Sequence, residues 1–554
     1  MKNQVDYHPN LFQLMLGCLG ILFRLERRIL AMIFSYSLAI GLFSLIVPLT
    51  VQELVNTFAF AIQPITIVTL TGIMVTGLML VGMFRALQFY AVEVLERRIF
   101  TRIALGMAQQ LPHLKFSEFQ PRYANYFMET VFMQRALAVL LVDLINVIVA
   151  GAAGMTILIF YHPYFLLYNA LLLAGFSIVF FLMTHGGLKA TIGMSHAKYT
   201  TLHWLQEISR NLLHFKSTDS QALVIKRTDE LVHTYVETRQ TRFDILVRQF
   251  LASVGWQAIA HSGLLATAGW LLSIGQLTLG QLVAAEVVVS GLLVSVDAVV
   301  KRTGHFYYFL TGLYKLDFLF SLPKDQDTID QPVPLPDPAI HGIRVTCKDL
   351  ALTQPGMPPV FEHFNLEATP GEKIGIYAPT VVAKVTLARI LAGMEAPTGS
   401  VIRYNGVDLR HLELHTINRY RGFLIDSQLT LFDGTIEDNI VLGRAYVPYS
   451  DLQWALRFTE LEETINALPQ GIKTPIGDYG TVLASGYILQ ILLARTIVTR
   501  PQILIFDGIF HPMHPTLRET LLQRLCGKDE PWTAIFVSND PQLTPHVDRR
   551  IILD

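Results

Sequence analysis

Residues 371–386 read GEKIGIYAPTVVAKVT. An apolar strand runs into a short loop and a following helix, the order of a phosphate-binding P-loop, G-x-x-x-x-G-K-[ST]. In that motif the glycines let consecutive backbone N–H groups curl around phosphates, the Lys adds a point charge and the hydroxyl holds Mg²⁺. Here the first glycine position is Ala378, the last is Ala383, and Val381 and Val382 lie between them. Lys384 stands where the motif lysine belongs, while the hydroxyl position is Val385, with Thr386 beside it. Two β-branched residues fit poorly where positive φ and close backbone approach are needed. Taken alone, the stretch equally describes any strand, loop and helix of an α/β domain.

The residues that follow narrow this. Gly434 to Ile440 read GTIEDNI after Leu431-Phe432, residues 468–477 read LPQGIKTPIG, and residues 493–507 read LARTIVTRPQILIFD. The order and spacing resemble the nucleotide-binding domain of ATP-binding-cassette exporters over about 341–554. The resemblance implies ATP and Mg²⁺ as cofactors and an α/β, P-loop NTPase-like fold. It carries Lys384, Thr386 and Asp507 over as candidate nucleotide-binding residues, with Asp507, at the end of PQILIFD, matching the carboxylate that supports Mg²⁺.

Other positions depart from the pattern. The adenine-stacking aromatic before Pro355-Gly356 is Gln354; the general-base glutamate after Asp507 is Gly508; the switch histidine is Asn539. Glycine supplies no base, a role worth ~10²–10⁴-fold, and asparagine cannot become cationic. The signature loop LSGGQ aligns with Leu483-Ala484-Ser485-Gly486-Tyr487; a one-residue shift would restore Ser485-Gly486 at the cost of a deletion in the next helix. Asp426, Ser427 and Gln428 compete for the glutamine-loop position. Loss at six sites implies a chain that no longer hydrolyses ATP by itself. Lys384 as a solvated lysine and Asp507 as a loop cap remain open alternatives to nucleotide contacts.

The N-terminal half reads as membrane. Hydrophobic residues make up 52% and charged residues 16% of 554, and mean hydropathy is +0.42. About 20 apolar residues span a bilayer as a helix. Six stretches qualify, near 29–56, 65–92, 137–160, 163–184, 246–273 and 280–300. A shorter run at 11–23, followed by Arg24, Arg27 and Arg28, reads as an interfacial helix. Connections near 57–64, 161–163 and 274–279 lack Lys and Arg, whereas 93–136 and 185–245 are rich in both. The positive-inside rule places the long connections and both termini in the cytoplasm.

The expected organisation is therefore a cytoplasmic N-terminus and elbow helix (1–28), an all-α six-helix exporter domain with two long cytoplasmic loops (29–322), a Pro- and Asp-rich linker (323–340) and the degenerate nucleotide-binding domain (341–554). Loop tips near 116–123 and 216–221 are expected as coupling helices. Net charge of −1 gives no pointer to nucleic acid, and three scattered cysteines show no metal spacing. The low-cysteine, signal-free, six-span pattern fits a bacterial inner membrane, and the resemblance implies a lipid bilayer and a second cassette half-transporter as partners, a heterodimer being more economical than two impaired sites. A non-transporting regulatory or channel-like subunit is the alternative, and an ATPase with unusual loop geometry a weaker one. Among charged groups inside spans, Asp143 and Asp297 lie near cytoplasmic ends, while Glu286 and His261 are better placed to line a pathway or an interface.

Overall fold

The computed structural model describes residues 11–60, 64–115, 120–183, 185–324, 333–336, 342–353, 359–398, 400–412, 414–425, 429–477, 485–508 and 510–553. They form two compact units: one takes in 1–114 and 118–322, the other 115–117 and 323–554.

The first unit is helical. Its elements are α1 (Leu11–Ser44), α2 (Ile46–Phe60), α3 (Pro64–Gln110), α4 (Met128–Tyr161), α5 (Tyr164–Met183), α6 (Gly187–Arg210), α7 (Leu212–Ser217), α8 (Gln221–Ser273), α9 (Leu279–Lys301) and α10 (Thr303–Phe320). In lipid each backbone polar group must be satisfied within its own segment, which favours uninterrupted helices. Four described segments are long and apolar enough to cross a membrane: Gln13–Phe58, Pro64–His113, Pro121–Tyr161 and Leu279–Phe320. A shorter apolar helix covers Tyr164–Phe180. The sixth expected span, 246–273, is helical as the end of α8 but is not among the four, because Gln249, Ser253, Gln257 and His261 interrupt its apolar run. Phe160 and Phe89 are 83% and 76% exposed, as side chains facing lipid would be.

Two expectations change in detail. The long charged connections are mostly helix rather than loop: at 1.5 Å per residue the 53 residues of α8 extend ~80 Å, well beyond a bilayer core. The run at 11–23 is continuous with the first span, and the break between them is at Glu26, whose φ −117° and ψ 25° are non-helical. The Glu26 carboxylate is buried against α3, 3.0 Å from Arg98 and 2.9 Å from Arg102. That clamp explains why the chain turns there. Of the two expected loop tips, 116–119 lies outside the described residues, Pro121 to Tyr123 open a 3₁₀ helix that runs to Phe127, and 216–221 joins the six-residue α7 to α8.

A second charge cluster ties α4, α6 and α10. Glu129 accepts from Ser195 (2.6 Å) and Lys198 (2.9 Å), with Lys315 at 3.9 Å; the Glu129 and Lys315 side chains are each 1% exposed. Tyr126 and Tyr199 face the Lys315 ammonium, their ring centres 4.7 and 3.9 Å away. Buried charge is tolerated only when paired.

In the second unit the elements are β1 (Val345–Thr353), β2 (Pro359–Ala368), β3 (Lys373–Tyr377), α11 (Val381–Leu391), β4 (Ile402–Tyr404), β5 (Val407–Asp408), α12 (Leu414–Tyr420), β6 (Arg421–Ile425), β7 (Gly434–Thr435), α13 (Ile436–Val441), α14 (Tyr449–Phe458), α15 (Glu462–Asn466), β8 (Pro475–Ile476), α16 (Ser485–Ile497), β9 (Ile503–Asp507), α17 (Pro515–Leu525), β10 (Thr533–Val537) and β11 (Arg549–Ile552). The core sheet is parallel in the order β11-β3-β10-β9-β6, and a second, antiparallel sheet runs β2-β1-β4-β5. Every residue of β9 and β10 is buried, as continuous apolar runs in a sheet covered on both faces should be. Burial pushes the Lys373 pKa down, yet its ammonium satisfies three carbonyls, of Gly371 (2.8 Å), Glu530 (3.1 Å) and Trp532 (2.6 Å). The linker is not wholly free of packing: Leu335 is buried in this core and Val333 bridges to Leu412.

Glu129→Ala should be among the most damaging changes in the helical unit, costing about 3–5 kcal/mol by leaving Lys315 buried without its anion. Thermal unfolding of the full chain in nanodiscs measures this. Glu129→Ala combined with Lys315→Met should recover most of the lost Tm; a double variant as unstable as the single one would show that the cost lies elsewhere.

Candidate functional site

Parallel α/β sheets bind ligands outside the carboxyl ends of their strands. Here those ends are Tyr377 of β3, Asp507 of β9 and Val537 of β10. The loop after β3 is only Ala378-Pro379-Thr380, because α11 already begins at Val381. Thr380 caps that helix: its side-chain oxygen accepts from the Ala383 N–H (3.1 Å), and its carbonyl accepts from Lys384 N–H (3.0 Å). With no glycine to hold an open loop, β-branched Val381 and Val382 enter the first helical turn and stand 70% and 56% exposed. Two of the amides that would face a phosphate are thus already bonded within the chain.

Lys384 turns back toward the sheet. Its ammonium lies 3.1 Å from Asp507 Oδ1, and the Asp507 side chain is fully buried. Thr386 is buried in α11 and takes no part in that contact. Of the three sequence-predicted residues, the fold brings Lys384 and Asp507 together. Asn539 also joins the site: its side-chain carbonyl accepts from the Ala378 N–H at 2.9 Å, fixing the start of the loop. Gly508, after Asp507, has φ 112° and donates its N–H to Val537 O (3.1 Å).

Several other expected positions fall outside the described residues: Gln354 and Pro355-Gly356, Asp426 to Gln428, and Leu483-Ala484. Ser485 and Gly486 form the first turn of α16. The remaining motifs serve one another. Thr435 and Asp438 of GTIEDNI make a reciprocal capping box. Asn439 bonds both backbone groups of Phe432, and Arg495 of the LAR helix donates to the carbonyl and to the side chain (2.9 Å) of Asn439. Burial pushes the Arg495 guanidinium down to about 10, with Arg444 adding to the effect. β7 and β8 then pair GTIEDNI with the end of LPQGIKTPIG.

In the helical unit His261 Nδ1 lies 2.9 Å from Glu286 Oε1, with Ser290 at 3.3 Å, beside a cavity of about 260 Å³. Asp143 pairs with Arg302, and Asp297 with Lys301 (2.6 Å) and Gln257 (3.4 Å). A larger cavity, about 330 Å³, is lined by residues of α1 to α4 and α9, among them Arg85, Asp143 and Asn146. Arg85, an arginine inside an apolar run, carries the same signal in the sequence as the carboxylates and histidines of the spans.

Residues 361–510 match the ABC transporter family. A fatty acid ABC transporter ATP-binding/permease protein of Mycobacterium tuberculosis is 27% identical over 284 residues, 50% of this chain and 42% of that protein. The mitochondrial iron-sulfur clusters transporter atm1 of Neurospora crassa is 26% identical over 274 residues, 48% and 38% of the two chains. The matched stretch spans 30% to 52% of the curated relatives it resembles. Among solved structures, a bacterial Atm1-family ABC exporter with ATP bound superposes with a TM-score of 0.82 at 18% identity, covering 96% of this chain and 94% of that one.

Isothermal titration of the purified chain with Mg-ATP should show no binding tighter than about 1 mM, and Lys384→Ala should leave that result unchanged while lowering Tm, since Asp507 loses its buried cation. A micromolar constant abolished by Lys384→Ala would contradict this.

Proposed function

We propose that this chain, an ATP-binding-cassette domain fused to a membrane-spanning domain of exporter fold, is the catalytically impaired half of a heterodimeric exporter. The observation that carries this reading is the contact between Lys384 and Asp507. The cation that would meet a phosphate and the carboxylate that would support Mg²⁺ are 3.1 Å apart and neutralise each other.

The residues present do not fit Mg-ATP. A helix N-terminus binds anions through free N–H groups, and here Ala383 and Lys384 N–H are both bonded to Thr380. Val385 offers no hydroxyl to a metal, and Gly508 no base for water. Asn539 holds the Ala378 amide rather than facing outward. No hydrolytic step is therefore routed through this chain's own site. Its roles are to supply half of the membrane pathway and to give a partner cassette a folded surface to work against.

The buried bonding of Arg495 to Asn439 and the pairing of β7 with β8 favour that second role, because they preserve the domain's architecture where its chemistry has gone. Exporter dimers hold each ATP between one subunit's P-loop and the other's signature loop, so an intact partner supplies at least one complete P-loop. The charge asymmetry of the connections favours both termini in the cytoplasm, and the setting we infer is a bacterial inner membrane.

Chain tagged and recovered from native membranes should carry a second cassette protein with intact P-loop glycines. The purified chain alone should release no phosphate above the contaminant background. Recovery of self-dimers only, or a turnover near 1 s⁻¹, ordinary for enzymes, that Lys384→Ala abolishes, would overturn the reading.

A further inference from the structure

We infer that the cavity between α1, α2, α3, α4 and α9 binds an amphiphile with an anionic head, held by Arg85. The inference rests on the export reading above for its orientation, and deepens it by naming a substrate class. The cavity measures about 330 Å³, within the range of small-molecule sites.

Arg85 lies about 31 Å along α3 from its start at Pro64, taking 1.5 Å per residue. That distance equals the hydrocarbon thickness of a bilayer, about 30 Å. By the same measure Asp143 lies ~27 Å from the end of α4 at Tyr161, at a matching level. The polar groups of the cavity are thus gathered at its cytoplasmic end. The wall beyond them is built from Ile40, Pro48, Val147, Val287 and Leu292.

Arg85 is the distinctive group. A guanidinium stays charged in any protein environment. Among the described residues Arg85 is exposed and makes no ion pair or hydrogen bond. The carboxylate sharing the cavity, Asp143, is already paired with Arg302, and the nearby Asp297 with Lys301. Asn146, also on the wall, exchanges hydrogen bonds with Gln88, which in turn donates to Ser37 (2.7 Å). Every other strongly polar side chain around the head position is therefore engaged. One cation is left facing an apolar pocket.

Guanidinium presents a planar fork that matches carboxylate and phosphate oxygens in a bidentate manner. The complementary molecule carries such a group at one end and an alkyl or otherwise apolar body at the other. A free inorganic anion would use only the mouth of the cavity and leave its apolar wall hydrated.

The test uses the full chain in phosphatidylcholine nanodiscs, titrated against empty nanodiscs as background. The probes are dodecyl phosphate, dodecanoate, dodecyltrimethylammonium and inorganic phosphate. Both anionic amphiphiles should bind at least ~10-fold more tightly than the cationic one, the scale of a charged hydrogen bond, and inorganic phosphate should not compete. Arg85→Gln should weaken both anions by a similar factor without moving the cation, and Arg85→Lys should restore part of the loss. Equal affinity for the three amphiphiles in the unaltered chain, or anion binding indifferent to Arg85→Gln, overturns the site. Inorganic phosphate binding as tightly as dodecyl phosphate overturns the amphiphile assignment. Selective binding without export by the assembled pair upholds this site and counts against the export reading alone.

Discussion

A carboxylate with no solvent access, placed at the carboxyl edge of a parallel sheet, must find a cation or lose its charge, and in this chain Asp507 finds Lys384. Much of the local architecture follows from that requirement. The lysine reaches inward because α11 starts early, at Val381, and α11 starts early because Thr380 can cap it where a glycine loop would stay open. Asn539 then pins the Ala378 amide from the neighbouring strand end. The chain leaving these strand termini is thereby tied together by the Lys384–Asp507 and Ala378–Asn539 contacts.

The helical unit obeys a different constraint. Lipid offers no hydrogen bonds, so irregularity is confined to places where protein surrounds it. The break at Glu26 is such a place, held by two arginines of α3. The Glu129 cluster is another, with two lysines, a serine and two tyrosine rings around one carboxylate. At Glu26 and Glu129 a buried charge is answered by its neighbours, whereas Arg85 makes no ion pair among the described residues.

What could be read from the sequence was what depends on near neighbours. KIGIY and ILIFD announce buried parallel strands because their apolar runs are unbroken, and the Thr435 cap is written within four residues. The spans were legible wherever apolar residues ran continuously, and least so in α8, where polar side chains break the run. Partnerships across long separations were not legible: nothing local says that Arg495 reserves its guanidinium for Asn439, or that Gln88 joins Ser37 to Asn146. Nor could the linker's one buried leucine, Leu335, be told from its Pro- and Asp-rich surroundings. At the candidate site the identities of Lys384 and Asp507 were plain, but their mutual contact was not, since it depends on α11 beginning as early as Val381.

Gly508 limits what can stand beside Asp507. Its φ of 112° belongs to backbone that residues with a side chain rarely adopt, so no side chain can be placed directly after Asp507 without moving the chain. Any chemistry that needs a side chain directly after Asp507 therefore asks for a different backbone there, and not only for a different residue.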